Sequence, residues 1–290
     1  MEASTNGKAL LQQAAERQRA LQNAAANTAA TQRLSLVLPM ALSSTTETNS
    51  PAVAVVTAEK LAAREAERQE LERQHYIDSV KIERKRRIQL LEKDIGAKYI
   101  AKDLATREYF GSAADQEKQR DAFSKVESFI ARLKDGVESG KNLLLVGSRG
   151  TGKDFCLANC LKLAIWRFGF RVLWMDGSRL FLNLRDSMNK HAAVSEAQFI
   201  QRLMDSPILA FSDPMPAMGN LSEFQASMLL SVIDARYRGD RPTWMTLNVS
   251  SRKEAEQRMG AMLVDRLFEN SEVIFFDWPS YREYIRTKSR

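Results

Sequence analysis

Residues Leu143-Leu144-Leu145-Val146 run straight into Gly147-Ser148-Arg149-Gly150-Thr151-Gly152-Lys153-Asp154, and a helix-forming stretch from Phe155 to Phe168 follows. A short aliphatic run ending in glycine reads as a fully buried strand of a parallel sheet. Strand, glycine-rich loop and helix in this order make a phosphate-binding loop rather than a chance cluster of glycines. The glycines let backbone N–H groups converge on an anion at a helix N-terminus, where aligned peptide dipoles already favour negative charge. Gly147, Ser148, Arg149, Gly150, Thr151 and Gly152 are therefore the candidate cradle, and Lys153 is the side chain that reaches the β- and γ-phosphates of a nucleotide. At the eighth position the pattern requires a Ser or Thr hydroxyl for Mg²⁺. This chain has Asp154.

The rest of the C-terminal two thirds alternates strand and helix. Asn142–Val146 precedes the loop. Phe170–Met175 reads as a strand followed by a helix over Ser178–Met188, and Ile208–Ser212 as a strand followed by a helix over Glu223–Tyr237. Thr243–Leu247 and Val273–Phe276 complete a five-stranded set. Such alternation predicts an α/β domain whose parallel sheet is covered on both faces, with ligands bound at the carboxyl ends of the strands.

Upstream, from Thr57 to Ile95, the chain is rich in Ala, Glu, Arg, Lys, Leu and Gln, with no Gly or Pro, which predicts one long helix. Ile77, Val80, Ile88, Leu91 and Ile95 form a narrow apolar stripe, with Arg84 in its gap, as suits a helix packing on one partner. The run Lys81-Ile82-Glu83-Arg84-Lys85-Arg86-Arg87 beside it is either a solvated face or a patch for phosphates or an acidic surface. Residues 1–57, polar and without aromatics, cannot bury enough apolar surface to offset ordering entropy. The expected organisation is a disordered tail over 1–57, a helical partner-binding region over 58–105 and a nucleotide-binding domain over 106–290. The net charge of +7 suits an acidic partner such as nucleic acid without requiring one. Cys156 and Cys160, spaced i, i+4 with no His beside them, cannot make a zinc site and read as small buried hydrophobes of a reducing cytoplasm. The apolar run Leu34–Leu42 carries a central proline and is too short to span a bilayer, so no membrane is expected.

Taken together, the loop and the order of elements resemble an AAA+ ATPase of the bacterial helicase-loader family, DnaC-like, with its transposition relative IstB. Asp94-Ile95-Gly96-Ala97-Lys98-Tyr99 resembles the segment that enters the ATPase core. Asp234-Ala235-Arg236-Tyr237 and Pro242–Asn248 resemble its arginine–tyrosine helix and sensor strand. Val264-Asp265-Arg266-Leu267 and Trp278-Pro279-Ser280-Tyr281-Arg282 resemble its C-terminal signatures. The resemblance implies ATP and Mg²⁺ as cofactors, and a hexameric replicative helicase and single-stranded DNA as partners. It further implies nucleotide-dependent self-assembly. Asn248 would be the polar sensor near the γ-phosphate, and Arg266 an arginine finger inserted into a neighbouring subunit's site. On the residues alone, Asn248 could equally start a turn, and Arg266 could form a surface ion pair with Asp265 or Glu269.

Two positions depart from that family's pattern. The second acidic motif should end an apolar strand with paired carboxylates, but Ile208-Leu209-Ala210-Phe211-Ser212-Asp213-Pro214 offers one. In one register Ser212 takes the metal position and Asp213 the catalytic one; in the other Asp213 is the metal residue and Pro214 replaces the base. Asp154 is the other departure. Its carboxylate could bind Mg²⁺ directly and partly replace the missing acid. It also sets a negative charge beside the phosphates, costing about 4 kcal/mol at roughly 4 Å and an effective dielectric near ~20 unless Mg²⁺, Lys153 or Arg149 offsets it. The expectation is nucleotide binding with Lys153, Asp213, Asn248 and Arg266 as catalytic residues, Asp154 and Asp213 as metal residues, and slow hydrolysis used as a switch. The alternatives are a transposition ATPase and a nucleotide-insensitive adaptor.

Overall fold

The computed structural model describes residues 51–189, 192–216 and 218–288. By its contacts the chain divides into two units, Met1–Glu70 and Leu71–Arg290. The expectation of a disordered tail lies outside the described residues for positions 1–50. Helix α1 spans Pro51–Ile95 and so begins ahead of the boundary at 58. Proline is well placed there, because the first helical N–H needs no partner and φ is already fixed near its helical value.

A short helix α2 (Ala97–Ile100) and a 3₁₀ turn (Leu104–Thr106) lead to α3 (Ala113–Ala131) and α4 (Leu133–Glu138). Then come β1 (Asn142–Gly147), α5 (Lys153–Phe168), β2 (Val172–Asp176), α6 (Gly177–Ser187), α7 (Glu196–Asp205) and β3 (Ile208–Ser212). The chain ends through α8 (Glu223–Arg238), β4 (Thr243–Leu247), α9 (Arg252–Met259), α10 (Ala261–Glu269), β5 (Ser271–Phe276) and α11 (Tyr281–Lys288). The five strands are all parallel, in the order β2-β3-β4-β1-β5. Strand β1 lies inside the sheet, between β4 and β5. Its alternate residues feed two cores: Leu143 and Leu145 pack with α3 and α5, and Leu144 and Val146 with α8 and α10. All four are fully buried, which is why the strand reads as an unbroken aliphatic run rather than an alternating one.

Local chemistry fixes the helix ends. Ser112 with Asp115, Ser195 with Gln198 and Ser222 with Gln225 form capping boxes that satisfy the first N–H groups of α3, α7 and α8. At the other end of α5, Arg84 donates to Trp166 O (2.8 Å) and Arg87 to Gly169 O (2.7 Å). Cations there complement the negative end of the helix dipole. Two members of the basic run on α1 are thus committed to the end of α5, while Ile88, Leu91 and Ile95 pack against the same core. Arg236, fully buried on α8, donates to Thr243 Oγ1 and to the carbonyls of Leu203, Met204, Ser206 and Pro242, tying the end of α7 to the start of β4. Both cysteines are buried in α5, and burial pushes the Cys160 thiol up to about 12. Among the described residues no helix is long and apolar enough to cross a membrane.

Candidate nucleotide-binding site

The loop between β1 and α5 sits at the carboxyl edge of the sheet, pressed against the segment that follows β5. Gly147 has φ +149°, and a Cβ there would stand 2.3 Å from Phe276 O. Gly150 has φ +80°, and a Cβ there would meet Ser280 Oγ at 2.2 Å. Gly147 demands glycine for closeness to a backbone carbonyl as well as for conformation, whereas at Gly150 the positive φ is the demand, since the Ser280 hydroxyl can rotate away. Trp278 Nε1 donates to Thr151 O (3.1 Å) and Tyr281 N to Gly150 O (2.9 Å), so the C-terminal signature fixes the loop from behind. Helix α5 opens at Gly152 without a side-chain cap, which leaves its first-turn N–H groups to an anion.

Lys153 is buried, and its Nζ donates to the carbonyls of Gly147 (2.8 Å) and Ser148 (2.6 Å). Burial pulls its pKa down to about 8, against the opposing pull of the Asp154 and Asp213 charges. A cavity of about 530 Å³ opens on the loop. Its walls include Lys98 and Tyr99 from α2, Phe110, Trp278, Tyr281 and Arg282, as well as residues 149–155. The volume lies within the usual range for small-molecule sites, and aromatic walls beside a phosphate cradle suit a nucleotide.

Strand β3 ends at Ser212, whose register partners are Asp176 and Thr246. Ser212 Oγ donates to Asp154 Oδ1 (2.9 Å), and Thr246 Oγ1 donates to the same oxygen (2.8 Å). Asp213, at φ +45°, occupies the left-handed region, which Asp enters more readily than most non-glycine residues. Its carboxylate accepts from Asn248 Nδ2 and from Asn248 N (3.4 Å). Burial raises the Asp213 pKa, although the Asn248 hydrogen bonds and the charges of Arg149 and Lys153 pull the other way. The structure thus brings Ser212 to Asp154 and Asp213 to Asn248.

Arg266 lies apart from this cluster, half-exposed on α10. It pairs with Asp234 (3.4 Å) and Glu269 (3.2 Å) and lies over the Tyr237 ring (5.1 Å). Of its two sequence-level ion-pair candidates Glu269 is used, while Asp265 accepts from Arg252 (2.9 Å). Two contributors escaped the sequence reading. Thr246 left a signal, a hydroxyl two residues ahead of Asn248 in an otherwise apolar stretch of strand. Arg258, which donates to Asn248 O (3.2 Å), Pro216 O (2.8 Å) and Gly219 O (3.1 Å), left none, since its three acceptors are backbone carbonyls.

A family model described as "IstB-like ATP binding protein" matches residues 51–289. The chain belongs to this IstB-like ATP-binding family. It is 25% identical over 173 residues to the replicative helicase loader DnaC of Escherichia coli strain K12, covering 59% of this chain and 67% of that protein. The DnaC of Buchnera aphidicola subsp. Schizaphis graminum is 22% identical over 173 residues, covering 59% and 68%. Among solved structures, a crystal structure of the DnaC helicase loader superposes with TM-score 0.53 at 24% identity, covering 62% of this chain and 99% of that one. The replication initiator DnaA bound to AMPPCP and single-stranded DNA superposes with TM-score 0.50 at 16% identity, covering 67% and 55%. The fold of this IstB-like member is accordingly that of an AAA+ P-loop domain.

Nucleotide binding by the family fits the residues present: a glycine cradle closed from behind, a lysine at its centre and a cavity of suitable volume. Mg²⁺ at such sites takes one or two carboxylates together with the phosphates. Asp154 and Asp213 are two acidic side chains at this edge of the sheet that could hold it.

Proposed function

We propose that this chain is an ATP-controlled loader of a hexameric replicative helicase in the cytoplasm, binding ATP and Mg²⁺ and using slow hydrolysis as a switch. The observation that carries the switch is the Asp154 carboxylate, held by the hydroxyls of Ser212 and Thr246 at the position where a P-loop normally presents a hydroxyl. Asp213 is then the single carboxylate left to orient water, steadied by Asn248. Mg²⁺, when bound, supplies charge neutralisation at the phosphates. Lys153 holds the phosphates once its proton-donating Nζ leaves the carbonyls of Gly147 and Ser148.

The choice of partner is supported by relatives that bear the name replicative helicase loader. Helix α1 supports docking, since Leu71, Tyr76 and Ile82 are exposed apolar side chains on it. Arg266 lies outside the walls of its own cavity, which suits a guanidinium acting on a neighbouring copy in a nucleotide-dependent assembly. Single-stranded DNA is the acidic partner proposed for the positive net charge.

The test is capture of the cognate replicative helicase by the full chain, with and without ATP, followed by single-stranded DNA binding of the complex. ATP-dependent capture is expected, and indifference to the helicase overturns the loader role. The IstB-like family description favours a second reading, an ATPase that assembles on duplex DNA and recruits a transposase. Preference for duplex over single-stranded DNA, together with failure to capture the helicase, would select it.

A further inference from the structure

The two departures from the usual P-loop arrangement touch each other. Ser212 and Asp154 are 58 residues apart in sequence, yet their side chains meet at 2.9 Å. In P-loop proteins generally, the loop helix supplies a hydroxyl and the neighbouring strand end supplies a carboxylate, and the two together hold Mg²⁺. Here the loop helix supplies the carboxylate and the strand end the hydroxyl. We propose that Asp154 and Ser212 are an exchanged pair, holding the divalent cation that accompanies the nucleotide with the usual two groups carried on the opposite elements.

This inference rests on the nucleotide-binding reading above and adds a division of labour to it. Four observations support the exchange. The number of carboxylates at the metal position is the ordinary one, so the charge that Asp154 adds beside the phosphates is the charge that Ser212 removes. Both hydroxyls, of Ser212 and of Thr246, act on Oδ1 of Asp154. Among the described residues Oδ2 carries no hydrogen bond, which leaves that oxygen to a cation. Lastly, the Asp213 carboxylate is held by Asn248 and not by Ser212 or Thr246, although the Asp213 N–H donates to Thr246 Oγ1 (3.2 Å), and this assigns that carboxylate to the water side of the site rather than the metal side. A site that had merely lost its metal acid would have no reason to place a carboxylate against the serine that replaced it.

The experiment is a titration of ATP into the full chain in EDTA and in Mg²⁺, with Mn²⁺ and a non-hydrolysable ATP analogue as a spectroscopic probe of the bound ion. Wild type, Asp154→Ser and the double variant Asp154→Ser/Ser212→Asp are compared. In wild type the cation should strengthen ATP binding at least tenfold, the lower end of what supporting a metal ligand is worth. Asp154→Ser, with two hydroxyls and no carboxylate, should lose that increment while still binding ATP in EDTA. The double variant restores the ordinary arrangement and should regain the increment to within about threefold, as expected when two contacting residues form one unit. A double variant no better than Asp154→Ser overturns the exchange. ATP binding in wild type that Mg²⁺ does not strengthen overturns it too, while leaving the nucleotide-binding reading in place. Absence of ATP binding with or without the cation overturns that reading and the exchange with it. If Asp154→Ser melts below the assay temperature, Mn²⁺ affinity decides: comparable values in wild type and the double variant support the exchange, and a wild-type ATP complex that takes up no Mn²⁺ refutes it.

Discussion

Asp154→Ala removes one side chain and breaks contacts on three elements at once. Ser212 on β3 and Thr246 on β4 lose the carboxylate oxygen they share, at 2.9 and 2.8 Å, and α5 loses an anion from its first turn. A hydrogen bond to a charged group contributes ~1.5–3 kcal/mol, and an anion at a helix N-terminus ~0.3–1 kcal/mol. Asp154 lines the cavity, so water reaches the stranded hydroxyls and recovers part of the loss. The low end of each range is therefore appropriate, giving a destabilisation of about 3 kcal/mol. For a folded unit of this size that corresponds to a fall in Tm of about 6–12 °C. The alanine also withdraws a charge that supports protonated Lys153 against its burial, so the lysine pKa should fall further below about 8. Scanning calorimetry and urea unfolding of Asp154→Ala beside Asp154→Asn measure the effect. The asparagine keeps an acceptor for both hydroxyls and should lose roughly half as much. A Tm for the alanine variant within about 1 °C of wild type would refute the reasoning, because the carboxylate would then hold nothing together.

Lys153 makes ATP affinity pH-dependent. With its pKa pulled down to about 8, most free protein at pH 7 carries the charged lysine, whereas at pH 9 about one molecule in ten does. Affinity should therefore drop about tenfold across that interval, and a flat profile contradicts the burial of the charge. The linked stability effect has the opposite sign. A depressed lysine pKa costs stability below about 8, and this cost is relieved as pH rises from there toward the ordinary lysine value, which denaturant titration at several pH values reads. Arg236→Met strands the carbonyls of Leu203, Met204, Ser206 and Pro242 and should destabilise by about 3 kcal/mol or more, while leaving ATP affinity of the folded fraction within about threefold. Unfolding curves that superpose on wild type would contradict the tie between α7 and β4.

The fold was legible wherever the sequence repeats a local rule. The aliphatic run before the loop, the strand–helix alternation and the glycines all describe nearest-neighbour physics, and β1, α5, β3 and β4 fall where those rules put them. The start of α3 has no apolar period to mark it, because Ala113 to Glu117 is polar, although Ser112 and Asp115 spell its capping box. Strand order was not legible, since every strand is a buried run and nothing local says that β4 lies between β1 and β3. The site shows the same limit. The cradle is contiguous and could be read directly, whereas the partners of Asp154 stand 58 and 92 residues away and meet it only through the register of β3 against β4. The ambiguity between Ser212 and Asp213 at the metal position was therefore inherent in the sequence. It turns on a strand end and one left-handed residue, and neither has a local signature.

Binding and turnover of ATP by the same preparation separate a switch from a motor. With the full chain, the proposed helicase partner and single-stranded DNA present, ATP should bind saturably while steady-state hydrolysis stays well below ~1 s⁻¹, the low edge of ordinary enzyme turnover. Hydrolysis at ~10 s⁻¹ or faster under the same conditions would contradict a site in which Asp154 is held by two hydroxyls and Asp213 alone orients water.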